Sequence, residues 1–175
     1  MINDLNLKFK AKKIKLVAFD VDGVMTDGSL TYLPNGEQIK TFNAKDGQGI
    51  VMLNKAGFLT AIITAKDSPA VRERAKTLGI TKLFLDQKNK IHAFNQLLNE
   101  FNLQKDEIAY MGDDYPDLAI IKEAGLSFAP NDAIDDVKKF ASAVSSFGGG
   151  KGAVREFCDF ILYSNGIAYD DILLK

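Results

Sequence analysis

The residues best suited to chemistry open in the run Lys15-Leu16-Val17-Ala18-Phe19-Asp20-Val21-Asp22-Gly23-Val24-Met25-Thr26-Asp27-Gly28. An apolar stretch that suits a buried parallel strand delivers two carboxylates and breaks at a glycine. Residues i and i+2 of an extended chain point the same way, so Asp20 and Asp22 are expected to face one spot at the strand's C-terminal end. Open α/β sheets bind their ligands there. Two like charges held that close call for a cation or a shared proton between them. A hard cation such as Mg²⁺ prefers carboxylate and carbonyl oxygens. Taken alone, Asp-x-Asp-Gly fits a plain strand and turn equally well, and the rest of the chain decides.

Three further strand patterns end in groups that match. Phe58 to Thr64 reads as a buried strand closing on Thr64, and Ile80 to Leu85 as a short one. Lys90 opens the amphipathic helix that follows, residues 90 to 101, with Ile91, Phe94, Leu98 and Phe101 on one face. Ile108 to Met111 is a fourth strand, running into Gly112-Asp113-Asp114. In a parallel sheet all four ends lie along one edge. Acids, a hydroxyl and an ammonium gathered there are what Mg²⁺-assisted phosphoryl transfer requires. A carboxylate attacks phosphorus, cations neutralise the equatorial oxygens, and a second carboxylate protonates the leaving oxygen.

The elements between these ends read as follows. Residues 29 to 42 form a hairpin about the Pro34-Asn35-Gly36 turn, with too few apolar residues (Leu30, Tyr32, Ile39, Phe42) to be buried alone. It is expected to lean on the body or on another subunit. A helix is expected from Asp46 to a stop at Gly57. Another has Ser68 as its cap, Pro69 in the first turn and Gly79 at its end. Pro116 lies in the first turn of the helix that Gly125 stops. Leu126–Ala129 and Ala141–Val144 are further strand candidates. Gly148-Gly149-Gly150 is expected as a flexible lead-in to a last helix near Gly152 to Tyr163; Lys151 is followed by Gly152, which argues against a P-loop. Strand and helix patterns alternate, so the expected fold is α/β, a doubly wound parallel sheet in one domain spanning 1–175.

Charge and composition exclude other classes. Lys+Arg total 22 against 23 Asp+Glu, a net charge of -1 that gives no support for nucleic-acid binding. No apolar stretch is long enough to span a bilayer, and Met1 to Lys15 lacks the apolar core of a signal peptide. The one cysteine, Cys158, excludes an internal disulfide and is expected to pack as a small apolar residue. The one histidine, His92, is expected to be a surface or packing residue. A cytoplasmic protein without membrane insertion is the reading these facts permit.

DVDGVMTDG, Thr64, Lys90 and GDDYPD together resemble the haloacid dehalogenase superfamily of phosphohydrolases, from about Lys15 to Ile161. The hairpin, FNAKDGQGI (Phe42 to Ile50) and GGGKGAVRE (Gly148 to Glu156) resemble one branch of it, the 3-deoxy-D-manno-octulosonate 8-phosphate phosphatase family. That resemblance implies a fold of haloacid dehalogenase type with a protruding hairpin and no cap domain, assembled as a homotetramer. It implies Asp20 as the nucleophile that forms an aspartyl-phosphate, and Asp22 as general acid and then base. Thr64 would bind the phosphoryl group, and Lys90 the nucleophile and developing charge. The implied Mg²⁺ contacts are Asp20, the backbone carbonyl of Asp22, and Asp113. Asp114 and Asp117 would act through water or brace the loop.

The resemblance further implies that substrate is bound by Asp22, Lys90, the segment Asn43, Ala44, Lys45, Asp46 and Gly47, and the basic residues Lys66 and Arg74. Two departures bear on the sugar. The family usually has Arg where this chain has Val51, and Gly-Arg where it has Ala65-Lys66. Lysine does not reproduce bidentate carboxylate binding. The implied substrate is an eight-carbon octulosonate 8-phosphate, with a nine-carbon nonulosonate 9-phosphate as the alternative. Rival readings of other classes are a receiver-like signalling domain, in which Asp22 would be idle, and a non-catalytic oligomerisation module.

Overall fold

The computed structural model describes residues 4–173, so the two ends of the expected 1–175 domain, 1–3 and 174–175, lie outside the described residues. The chain runs α1 (Leu5–Ala11), β1 (Leu16–Phe19), β2 (Thr31–Tyr32), β3 (Gln38–Ile39), α2 (Ala44–Lys55), β4 (Leu59–Ile63), α3 (Pro69–Leu78), β5 (Lys82–Phe84) and α4 (Lys90–Glu100). It continues through β6 (Ile108–Met111), α5 (Leu118–Glu123), β7 (Leu126–Ala129), α6 (Asp135–Phe140), β8 (Ala143–Val144), α7 (Ala153–Ser164) and α8 (Tyr169–Leu173).

Six strands form one parallel sheet in the order β5-β4-β1-β6-β7-β8. The chain winds outward from β1 to β5, then crosses to β6 and winds the other way. The strand order therefore reverses beside β1, and such a switch point leaves a crevice at the strands' C-terminal ends. Alternation along β1 divides the core in two: Val17 and Phe19 join one apolar cluster, Leu16 and Ala18 the other. The first cluster takes its helical side chains from α1, α2, α3, α7 and α8, and the second from α4, α5 and α6. This is the doubly wound sheet expected, and between β1 and β4 the described chain inserts only the β2–β3 hairpin and α2, with no cap domain.

Local chemistry sets the helix ends. Asn43 caps α2, its Oδ1 accepting from the backbone N–H of Lys45 at 2.8 Å and of Asp46 at 3.4 Å, so the helix starts at Ala44 rather than Asp46. Pro69 and Gly79 bound α3 as expected, with Gly79 at φ 69°, while Ser68 holds the cap position without a side-chain hydrogen bond. Three helices escape the periodicity argument, α1, α6 and α8, because each is too short to show a repeating face. Asp4 starts α1 by accepting from the N–H groups of Asn6 and Leu7 at 2.8 and 3.1 Å.

The α2–α7 crossing is close: a Cβ at Gly49 would stand 3.0 Å from Cβ of Cys158, which is buried. Deeper in α7, Phe157 stacks on Phe128 with ring centroids 4.5 Å apart and meets Phe19 edge-on at 6.1 Å. It thereby ties α7 to the strand that carries Asp20. No helix of the described residues is long and apolar enough to cross a membrane. Phe157→Ala is expected to cost about 3–5 kcal/mol, the usual penalty for emptying a packed aromatic site. Urea unfolding reads this directly, and an unchanged midpoint would show that α7 does not hold the sheet.

Candidate active site

The C-terminal ends of β1, β4 and β6 open on a cavity of about 190 Å³. Asp20, Asp22, Thr64, Lys66, Lys90 and Asp113 all line it, together with Asp114 and Asp117. Larger hollows elsewhere, of about 620 Å³ beside Lys55 and Gly166 and about 400 Å³ beside Lys151 and Arg155, hold no comparable set of acids around an ammonium.

Lys90 is the electrostatic centre. Its Nζ lies 2.7 Å from Asp20 Oδ1 and 2.6 Å from Asp117 Oδ1, and the lysine and both acids are buried. Burial alone would depress the ammonium's pKa, but the charges of Asp20 and Asp117 outweigh it and hold the pKa above its usual value. Asp117 is fully engaged. Its Oδ1 also accepts from the Tyr110 hydroxyl at 2.5 Å, and its Oδ2 from the backbone N–H of Asp113 at 3.0 Å and of Asp114 at 3.3 Å. It braces the loop after β6, one of the two roles expected for it.

One oxygen from each of Asp20, Asp113 and Asp117 lies within 4.8 Å of the others. Burial first, then Asp117, push the Asp20 carboxyl up to about 7 against the pull of Lys90. Burial and the charges of Asp20 and Asp117 push Asp113 up to about 8. Asp113 Oδ1 is buried without a hydrogen-bond partner. An orphaned carboxylate oxygen among crowded acids is what a hard dication satisfies, so the residues present fit Mg²⁺.

The expectation that Asp20 and Asp22 face one spot holds only in part. The extended chain ends at Phe19, and Met25 N–H closes a turn onto Val21 O at 2.9 Å. The i, i+2 rule stops applying there. Asp22 lines the same cavity, but its carboxylate pairs with Lys40, beyond β3. Thr64 is buried at the end of β4, its N–H donating to Phe84 O at 3.0 Å and its carbonyl accepting from Gln87 N–H at 2.9 Å.

Glycines let the loops close. Gly23 has φ 87°, and a Cβ there would sit 2.0 Å from Asp113 Oδ2. A Cβ at Gly149 would sit 1.9 Å from Gly23 O, and Gly150 N–H donates to Val24 O at 2.9 Å. The glycine run leads into α7 as expected, and on the way it packs against the loop that carries Asp22.

None of Asn43, Ala44, Lys45, Asp46, Gly47 and Arg74 lines this cavity, and Lys45 lines the hollow beside Lys151 and Arg155 instead. Asp46 accepts from Arg155 N–H at 2.9 Å and Gly152 N–H at 3.3 Å, which caps α7. Asn43 Nδ2 donates to Gly150 O at 3.0 Å, and Arg74 donates to Asn43 O at 3.0 Å while lying over the Phe42 ring. Arg74 thus lies outside the cavity, and Asp46 is the acid whose charge it feels.

A sequence profile of haloacid dehalogenase-like hydrolases matches residues 76–154. The 3-deoxy-D-manno-octulosonate 8-phosphate phosphatase of Escherichia coli K12 is 41% identical over 157 residues, 90% of this chain and 84% of that one. Its Haemophilus influenzae counterpart is 44% identical over 90% of this chain and 87% of its own. The chain belongs to this phosphatase family. A solved structure of the 3-deoxy-D-manno-octulosonate 8-phosphate phosphatase from Moraxella catarrhalis, in complex with magnesium ion, phosphate ion and a KDO molecule, superposes with a TM-score of 0.91 at 36% identity, covering 93% of this chain and 94% of that one.

Membership in a hydrolase family sets aside the receiver-like and non-catalytic readings. The two departures from the family's usual residues fall in different places: Lys66 lines the cavity, while Val51 packs against the larger apolar cluster. Two participants were not anticipated from the sequence. Tyr110 would have been found from strand alternation, which turns it to the α4 side with Leu16 and Ala18. Lys40 carries no such local signal, since it lies beyond the end of β3.

The raised Asp113 carboxyl has a measurable consequence. The folded chain keeps that proton to about pH 8, whereas the unfolded chain releases it near pH 4. Without a dication, stability therefore falls as pH rises between those values. Mg²⁺ displaces the proton, so its gain in Tm over EDTA is expected to be larger at about pH 8.5 than near pH 6, by several degrees at about 2–4 °C per kcal/mol. A gain that does not grow with pH would remove Asp113 from the ion's surroundings.

Proposed function

We propose that the chain is a Mg²⁺-dependent phosphatase that hydrolyses 3-deoxy-D-manno-octulosonate 8-phosphate to the free sugar acid and phosphate. The observation that carries this reading is the buried ammonium of Lys90 against Asp20, with Asp113's unpartnered oxygen beside them. Asp20 is the nucleophile. One of its oxygens forms a bond to phosphorus as the bond from phosphorus to the sugar oxygen breaks, and Asp22 gives that oxygen its proton. Water then attacks phosphorus, Asp22 takes the proton, and the Asp20–phosphorus bond breaks. Thr64 and Lys90 hold the phosphoryl oxygens during both displacements. Asp20, Asp113 and the backbone carbonyl of Asp22 would hold the metal, which supplies neutralisation of phosphoryl charge when bound.

Asp20→Asn is expected to abolish turnover with the fold intact, and Asp22→Asn to lower kcat by about 10²-fold or more while keeping Mg²⁺ affinity. Phosphate release with calorimetric Mg²⁺ titration reads both. Activity above a few per cent in Asp20→Asn would sink the covalent route, and joint loss of metal and rate in Asp22→Asn would sink its acid–base role. A panel that includes a nonulosonate 9-phosphate tests the sugar, since Lys66 stands at the cavity where the family usually has Arg.

The cavity, at about 190 Å³, falls below the roughly 300–1,000 Å³ that encloses a whole small-molecule ligand. It seats the phosphoryl end and leaves the sugar acid over its rim. Cover from another subunit supplies the remainder in this reading: Leu30, Tyr32, Leu33 and Ile39 of the hairpin are exposed, and pairing of such ribbons would satisfy their edges in a homotetramer. Asn43 to Gly47 and Arg74, outside the chain's own cavity, would then bind sugar across the interface. A cytoplasmic setting belongs to the same reading, supported by the free thiol of Cys158. Tyr32→Asp with Ile39→Asp is expected to give smaller species and a raised KM for the sugar acid phosphate, with acetyl phosphate hydrolysis less affected. Light scattering that finds the assembly unchanged would rule out the hairpin as its contact.

A further inference from the structure

We infer that Lys40 is the positioning residue of Asp22, holding the acid–base carboxylate as Lys90 holds the nucleophile. This rests on the reading of Asp22 as general acid and base. Lys40 follows β3 on a hairpin whose Leu30, Tyr32, Leu33 and Ile39 are exposed, Tyr32 at 59%, yet its own side chain is only 2% exposed. A buried ammonium is costly unless a charge meets it. Among the described residues the acid that meets it is Asp22, whose Oδ1 accepts from Lys40 Nζ.

Asp22 needs such a partner. It lies past the end of β1, in a turn kept in shape through Thr26: Oγ1 accepts from Gly23 N–H at 3.3 Å and Gly28 N–H at 3.2 Å. These bonds fix the backbone and leave the Asp22 side chain to its own rotamers. Lys40 removes that freedom by taking Oδ1, which leaves Oδ2 to exchange the proton with the leaving oxygen and then with water. A group that must act at two successive steps loses rate at both when its rotamer wanders.

The two lysines divide the work by origin. Lys90 stands at the start of α4, within the rigid body of the sheet. Lys40 stands at the end of the exposed β2–β3 hairpin, so displacement of the hairpin draws on Asp22 and leaves Asp20 in place.

Purified Lys40→Met, Asp22→Asn and the double variant, each checked for an unchanged Tm and Mg²⁺ affinity, test this in steady state with 3-deoxy-D-manno-octulosonate 8-phosphate. Lys40→Met is expected to lower kcat by roughly 10-fold or more, a share of the 10²–10⁴ that general acid–base help supplies, with a smaller change in KM. Lys40→Arg, which keeps the charge, is expected to recover most of that loss. In the Asp22→Asn background Lys40→Met should remove nothing further, since its effect runs through that carboxylate. Losses that multiply in the double variant, or full kcat in Lys40→Met, would overturn the inference and leave Asp22 as the acid–base. Full activity in Asp22→Asn would instead overturn the reading of Asp22 and this inference with it. If Lys40→Met melts early, Lys40→Gln, neutral and able to hydrogen-bond, takes its place in the same cycle.

Discussion

A lysine ammonium enclosed between two aspartates is the interaction on which the rest of this molecule depends. Lys90 joins the first turn of α4 to the end of β1 through Asp20 and to the loop after β6 through Asp117. Charges so enclosed are tolerated only when each is met by its opposite, and removing one partner from a buried pair typically costs about 3–5 kcal/mol. The fold answers that demand with a whole shell. Tyr110 reaches out of the core to Asp117, and two backbone amides complete it. What results is an Asp20 carboxyl group fixed in place before any ligand arrives, the kind of preorganised geometry that makes electrostatic catalysis effective.

Around this centre the chain is drawn in by close backbone approaches rather than by large side chains. The loop carrying Asp22 passes against Asp113 at Gly23 and against the lead-in to α7 at Gly149. Asp46 and Asn43 then fasten that lead-in to α2. Polar residues near the cavity therefore do two kinds of work. Some face it, and others hold the walls at the spacing the catalytic residues need.

Much of this was legible in the sequence, for physical reasons that differ by element. β1, β4 and β6 are continuous apolar runs, as strands covered on both faces must be, and Pro69 and Gly79 bound α3 by their backbone constraints. Because parallel strands align their C-terminal ends, the sequence pattern alone brings Asp20, Thr64, Lys90 and Asp113 together, and all four line one cavity. The rule that aims Asp22 with Asp20 reaches only as far as the chain stays extended; the chain turns after Phe19, so Asp22 lines the same cavity with its carboxylate turned to Lys40. Lys40 was hidden since its burial depends on the path of a hairpin, which no local pattern encodes. Asp46 belongs to the segment that the resemblance assigns to substrate, and its oxygens also cap a helix more than a hundred residues away, a tertiary contact invisible to spacing.

Cys158 sits where α2 and α7 cross, buried, with burial pushing its thiol pKa well above the usual value. It is the one cysteine in the chain. A thiol-modifying reagent therefore has a single target, and it reaches that target only when the two helices part at Gly49. Alkylation of the native protein becomes a clock for that opening, and its rate relative to an exposed thiol gives the free energy of the open state. Since Asn43 caps α2 and α7 follows the glycines packed against the loop that carries Asp22, the same clock registers how firmly that loop's support is held.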